Sequence, residues 1–212
     1  MTIEDAVGAV RERIAAAAQR AGRDPAAVTL VAATKTVSAS HVAQALRAGV
    51  TEVGENRAQE LLAKAPDLTA HVPRWHFVGA LQRNKVRSLA SWVSCWQTVD
   101  RLPLGVEIAR RAPGASVLVE VNLGGETRKA GVAPAGAGRL VDELVDLGLD
   151  VGGLMTVPPH DGDARRWFAA LRELGEERAL RDLSMGMTED FEVAIEEGAT
   201  IVRIGRAIFG ER

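Results

Sequence analysis

Apolar positions along the chain alternate between two rhythms, one helical and one extended. Ala6, Val10, Ile14 and Ala17 fall on one face of a helix over residues 4–20, with arginines and glutamates on the other face. Gly22 and Pro25 end it. Residues 30–34 are then all apolar or small, the pattern of a strand buried on both faces, and Lys35 follows at its carboxyl end. The same alternation repeats down the chain. Val42, Ala45 and Leu46 mark a helix that begins near Ser40 and stops at Gly49. Residues 51–54 form a short strand with Glu55 and Asn56 at its end, and a helix runs on to Lys64 before Pro66. Residues 75–79 are a third strand, and Gln82 to Lys85 open the next helix. Residues 92–99 are a fourth strand, followed by Asp100 as an N-cap with Pro103 in the first turn.

The second half continues in the same way. Residues 117–121 are the fifth strand, in strongly β-branched surroundings. A polar loop over 122–131 leads to a helix carrying Leu140, Leu144 and Leu147, which stops at Gly148. Residues 151–155 are the sixth strand, and Pro158, Pro159 and His160 open a loop. Trp167, Phe168, Leu171 and Leu174 mark a helix, and residues 183–185 a seventh strand. Thr188 is read as the cap of a helix holding Phe191, Ala194 and Ile195, stopped at Gly198. Residues 200–203 are the eighth strand, and 207–209 a last short turn.

About eight strands alternating with helices, without a low-complexity linker, predict one domain over residues 1–212: a (β/α)₈ TIM barrel. An open doubly wound sheet is the runner-up. No Gly-x-Gly-x-x-Gly follows any strand, which disfavours a dinucleotide fold.

Composition narrows the function. With 26 basic against 28 acidic residues, neither a nucleic-acid footprint nor a polybasic membrane patch is expected. No apolar run approaches a membrane span, and the first residues lack the regions of a signal peptide. Cys95 is the sole cysteine and lies between Trp92 and Trp96, so it reads as a buried, inert thiol of a cytoplasmic protein. The four histidines show no metal-ligand spacing, and tyrosine is absent.

In a barrel, the carboxyl ends of the strands converge on one rim, where barrel enzymes carry their sites. This rim would gather Lys35, Asn56, His76, Asn122, Met155, Thr156, Ser184 and Arg203. Each alone has an ordinary explanation, such as a solvent lysine, a helix-capping asparagine, a core histidine or a turn hydroxyl. Their shared placement changes the odds. Two glycine turns, around Gly186 and Gly205, fall after strands seven and eight, where barrels often bind phosphate. Ser184 and Thr188 would add hydroxyls, and Arg206 follows the second turn. A phosphate cradle opposite a strand-end lysine suggests a phosphorylated aldehyde, and pyridoxal 5'-phosphate fits. Arg203 could reach its pyridine nitrogen, which would weaken the cofactor as an electron sink.

The stretches Val-Ala-Ala-Thr-Lys35-Thr, Val-Gly54-Glu-Asn56, Trp75-His-Phe-Val-Gly79, Leu81-Gln-x-Asn84-Lys85, Gly153-Leu-Met155, Leu183-Ser-Met-Gly-Met187 and the closing Val202-Arg-Ile-Gly-x-x-Ile-Phe-Gly-Glu-Arg212 resemble the pyridoxal phosphate homeostasis proteins (the YggS/PROSC family). The resemblance covers almost the whole chain. It implies a single barrel of the alanine racemase N-terminal type, with pyridoxal 5'-phosphate held as a Schiff base on Lys35. It implies Arg203 at the ring nitrogen, Ser184, Thr188, Gly205 and residue 206 at the phosphate, and Asn56 and His76 along the pocket. The family buffers or delivers the cofactor without established catalysis, so pyridoxal-phosphate-dependent apoenzymes are implied as partners. A monomer or weak dimer is expected. Glu126 and Lys129 match a loop linked in the family to regulation or a second cofactor site. Two positions depart from the family pattern: Arg57 stands where tyrosine is usual, and Arg206 where serine or threonine is usual.

Two other functions fit parts of the pattern. An amino-acid racemase on this barrel needs a second acid/base opposite the lysine. In the racemase family that is a tyrosine from a partner's second domain, and this chain has neither. A Schiff-base aldolase acting on a sugar phosphate would use the same lysine and phosphate logic.

Overall fold

The computed structural model describes residues 1–159 and 163–210. Eight parallel strands close into a barrel in sequence order: β1 (Thr29–Ala33), β2 (Glu52–Glu55), β3 (Arg74–Phe77), β4 (Val93–Val99), β5 (Ser116–Glu120), β6 (Asp150–Met155), β7 (Asp182–Ser184) and β8 (Ile201–Ile204). Closure pairs β8 with β1 and leaves no exposed sheet edge. Helix α1 (Ile3–Arg20) precedes β1, and α2 (Ala39–Arg47), α3 (Ala58–Lys64), α4 (Arg83–Leu89), α5 (Leu102–Arg111), α6 (Pro134–Asp146), α7 (Ala164–Glu176) and α8 (Phe191–Glu196) are the crossovers. A short α9 (Arg206–Phe209) follows β8. The predicted architecture is the observed one.

Strand residues alternate between two layers. One side faces the helices and joins the main core, where Trp96, Phe77, Phe168 and Phe191 are fully buried. Each such side chain contributes roughly 1.5–3 kcal/mol by leaving water. The other side fills the lumen, where Val31, Cys95, Leu118, Met155 and Ile201 form a separate, smaller apolar cluster. The rest of the lumen is polar, and the site is built on it.

Some local expectations are corrected. Asp100 does not cap α5. The capping position is Arg101, whose guanidinium pairs with Asp100 instead. Thr188 does not cap α8, because the chain turns further and Asp190 takes that position. Leu147 lies beyond the end of α6 and is partly exposed. His160 and the final Glu211-Arg212 of the sequence pattern lie outside the described residues.

Candidate functional site at the carboxyl rim

Strand β1 ends at Ala33, and the two residues that follow part company: Thr34 is fully buried, whereas Lys35 is exposed. A cleft of about 340 Å³ opens here, at the carboxyl end of the barrel. Six of the sequence-predicted residues line it: Lys35, Asn56, Thr188, Arg203, Gly205 and Arg206. The described residues give Lys35 Nζ no hydrogen bond or ion pair. Asn56 Oδ1 is buried and has no partner among them. Gly79 keeps this wall tight, since a Cβ there would fall 2.2 Å from the Asn56 carbonyl oxygen.

The other six, His76, Asn122, Met155, Thr156, Ser184 and Gly186, do not line the cleft; Asn122 Nδ2 donates to the Glu126 carbonyl at 2.9 Å and Thr156 Oγ1 to the Val121 carbonyl at 2.9 Å. Met155 belongs to the lumen's apolar cluster. His76 and Ser184 lie in a buried hydrogen-bonded chain that starts at the cleft and runs through the lumen. Arg203 Nη1 donates to Ser184 Oγ at 2.6 Å, and Ser184 lies 2.6 Å from Gln97 Oε1. Gln97 Nε2 lies 2.6 Å from His76 Nδ1, and His76 Nε2 lies 2.6 Å from Glu52 Oε2. Strands β4 and β7 are not neighbours, so the Gln97–Ser184 bond must cross the lumen. Read from Arg203, which can only donate, the chain has one direction. The serine hydroxyl gives its proton to the Gln97 carbonyl, the Gln97 amide donates to Nδ1, and Nε2–H donates to the Glu52 carboxylate. A positive charge stands at one end and a negative charge at the other. Arg203 Nη2 also donates to the Thr156 carbonyl at 2.8 Å. Burial pulls the Arg203 guanidinium down to about 10, against the pull of Glu120 and Asp190. It therefore remains a cation at neutral pH.

Gly186 has φ +90, and a Cβ there would meet Ala194 and Phe191 at under 3 Å. Its glycine is thus required by packing on α8, while its carbonyl accepts the Arg203 N–H at 3.0 Å. Thr188 Oγ1 lies at the cleft and accepts the Ala207 N–H at 3.4 Å. Arg206 turns its guanidinium to Glu189, 2.9 Å away on an exposed surface. Both residues of the pair line the cleft.

Several residues of this assembly were not singled out from the sequence. Gln97 and Glu52 complete the lumen chain. Glu120 ends β5, and burial pushes its carboxyl up to about 7, reinforced by Asp100 and opposed by Thr98 and Arg203. Thr98 Oγ1 donates to the Gly79 carbonyl at 2.6 Å and lies 3.1 Å from Glu120 Oε2, its second acceptor. A polar residue inside an otherwise apolar strand, as at Gln97 and Glu120, is the signal that could have found them.

The remaining candidates carry less. Lys129 pairs with Glu126 at 2.6 Å within its own loop, and Arg57 faces Glu60 at 3.8 Å in solvent. Cys95 is buried in the lumen, and burial raises its thiol to about 12, which makes it inert. Among the described residues no cluster of acidic, histidine or cysteine side chains could hold a metal, and no helix is long and apolar enough to cross a membrane.

No protein-family model matches the chain. A curated relative from Aquifex aeolicus is 45% identical over 96% of this chain and 95% of its own length, and one from Pseudomonas aeruginosa is 40% identical over 100% and 96%. Both are named pyridoxal phosphate homeostasis protein. The chain belongs to that family. Among solved structures, PipY of Synechococcus elongatus with PLP bound matches with a TM-score of 0.78 at 32% identity, over 95% of this chain and 100% of that one. A lysine decarboxylase from Selenomonas ruminantium matches at 15% identity with a TM-score of 0.72, over 97% of this chain and 61% of that one, a likeness of fold alone.

Proposed function

We propose that the chain binds pyridoxal 5'-phosphate in the rim cleft, holds it covalently through Lys35, and serves to buffer or deliver it rather than to turn over a substrate. The observation that carries this reading is that Lys35, with an unengaged amine, and Arg203, with a fixed guanidinium, enter one cleft of about 340 Å³. Small-molecule pockets start at roughly 300 Å³. The orphaned Asn56 Oδ1 adds a buried polar atom that a ligand would satisfy. The PLP-bound relative and the names of the curated relatives support the same choice of ligand.

When bound, pyridoxal phosphate supplies an aldehyde carbon that condenses with a neutral primary amine to form a C=N bond and one water. The chain's own residues do the rest. Lys35 provides the amine at the exposed end of β1. Arg203, a cation anchored by Ser184 and Thr156, would offer N–H donors to a ring nitrogen without giving up a proton. That arrangement suits holding over carbanion chemistry. Thr188, Gly205 and the main chain of Arg206 would take the phosphate. The Arg206 guanidinium, engaged with Glu189, would not. Ser184, His76, Met155 and Gly186 would act from beneath or behind the ligand. The sequence has no tyrosine to serve as an opposing acid/base. Delivery would go to apoenzymes that need the same cofactor, and one chain suffices to build the cleft.

The test is an absorbance spectrum after incubation with pyridoxal phosphate, wild type beside Lys35→Ala. The expected result is a near-violet band in wild type only, bleached by borohydride. Absence of the band in wild type overturns the reading and brings the aldolase alternative forward. Enzyme-like exchange of the α-hydrogen of alanine would overturn the carrier assignment.

A further inference from the structure

Beneath Lys35 lies a buried cluster of charges that the cofactor reading does not use. Lys64, the last residue of α3, is 8% exposed, and Glu55, at the end of β2, is fully buried. The Lys64 ammonium has three protons and three acceptors: the Thr34 carbonyl at 2.7 Å, Glu60 Oε2 at 3.1 Å, and Glu55 Oε1 in a very short contact. Each acceptor leads back to the same turn. Thr34 Oγ1 lies 2.8 Å from Glu55 Oε1, and Glu60 Oε2 accepts the Thr36 N–H at 2.7 Å. The residues on both sides of Lys35 are therefore held by one three-charge unit. Glu55 Oε2 also accepts the Asn56 N–H at 3.2 Å, so the unit grips a second wall of the cleft.

The gripped turn is strained. Thr36 has φ +60, a left-handed conformation that a β-branched side chain rarely adopts. Glu60 engages the N–H of that residue, and the Thr36 hydroxyl closes onto the Lys35 carbonyl at 2.7 Å. A buried ion cluster is a poor means of stabilising a fold, since apolar packing usually does as well or better. Its geometry is a good means of fixing one turn.

We propose that Lys64, with Glu55 and Glu60, is the positioning group for Lys35: the cluster holds residues 34–36 in the strained turn that directs the Lys35 amine into the cleft. This rests on the proposed function, because it concerns how that lysine is loaded. It assigns Lys64 no contact with the ligand.

The experiment separates association from covalent loading. Wild type, Lys64→Met, Glu60→Gln, Thr36→Gly and the double variant Lys64→Met/Thr36→Gly are mixed with pyridoxal phosphate. Association is followed by equilibrium dialysis, loading by the rate of the near-violet band and by borohydride trapping, and folding by circular dichroism. Lys64→Met is expected to load about tenfold more slowly or worse, because a misplaced reacting group loses rate steeply, and Glu60→Gln less so. Association should weaken far less than loading. Glycine adopts the left-handed turn without strain, so the double variant should recover much of the lost rate, which a purely structural tie would not predict. Loading of Lys64→Met at the wild-type rate overturns the proposal, as does failure of Thr36→Gly to rescue a folded Lys64→Met. If Lys64→Met does not fold, Glu60→Gln decides, and wild-type loading there is the adverse result. Failure of the cofactor reading itself looks different: wild type would show no band at all.

Discussion

Lys35 and Arg203 reach the same cleft from paired strands, and they are held in opposite ways. Lys35 stands just past β1, exposed, with its side chain unengaged, and what is fixed is the backbone around it. Arg203 lies within β8, 5% exposed, and what is fixed is the guanidinium itself, through Ser184 and Thr156. The difference follows from the two tasks. An amine that must meet and release an aldehyde needs a mobile side chain on a steady base. A donor that must stay put, and stay charged, needs a buried partner for each N–H in use. The lumen chain from Arg203 to Glu52 supplies this at the cost of a polar barrel interior.

The comparison can be broken at either end. The largest effect is expected from Lys35→Ala, which should lose the near-violet band and borohydride trapping completely. Its unfolding free energy, from urea titration, should stay within about 0.5 kcal/mol of wild type, as for an exposed side chain away from packing. A large loss of stability would show that Lys35 is structural after all. Gln97→Leu should do the reverse. It leaves the Ser184 hydroxyl proton without an acceptor and the His76 Nδ1 without a donor in the lumen, at about 1–3 kcal/mol for each group so stranded. Urea unfolding measures this, and a variant as stable as wild type would mean that the chain is not continuous.

A smaller, pH-dependent effect is expected at Glu120. Its carboxyl is raised from 4.5 to about 7, so the folded protein favours the protonated form. The stability this contributes is complete below the ordinary carboxylate range and is lost as pH rises through about 7. Glu120→Gln removes that loss. Thermal melts of ligand-free protein should show wild type falling more than the variant between about pH 5 and about pH 8, and parallel profiles would contradict a buried acid. The smallest effect is expected from Arg206→Ala. Its exposed pair with Glu189 should matter by about 0.5 kcal/mol or less, with association of pyridoxal phosphate unchanged. Markedly weaker association would mean that the guanidinium swings into the cleft.

Much of this was legible in the chain. The run over 30–34 ending in Lys35, the eight-fold alternation of strands and helices, and the paired glycine turns at 186 and 205 are local patterns, and each lies where the barrel expectation put it. Caps were less legible. Asp100 and Thr188 both have capping chemistry, yet Asp100 pairs with Arg101 and Thr188 accepts the Ala207 N–H. Side-chain chemistry says which residue can cap, while the path of the loop decides which one does.

By itself the sequence determined the element order, favoured a parallel barrel over an open doubly wound sheet, and named Lys35, Asn56, Thr188, Arg203, Gly205 and Arg206, which line the cleft, because burial patterns and strand ends are set by near neighbours. Only the tertiary structure decided that His76 and Ser184 lie beneath the cleft, joined through Gln97, and that Lys64 reaches back to the Thr34 carbonyl. Ser184 and Gln97 are 87 residues apart, and Lys64 and Thr34 are 30 apart. A period of two shows that a strand residue faces inward. Which inward residue it meets depends on barrel closure and on the register of strands far apart in the chain, and no local pattern carries that information.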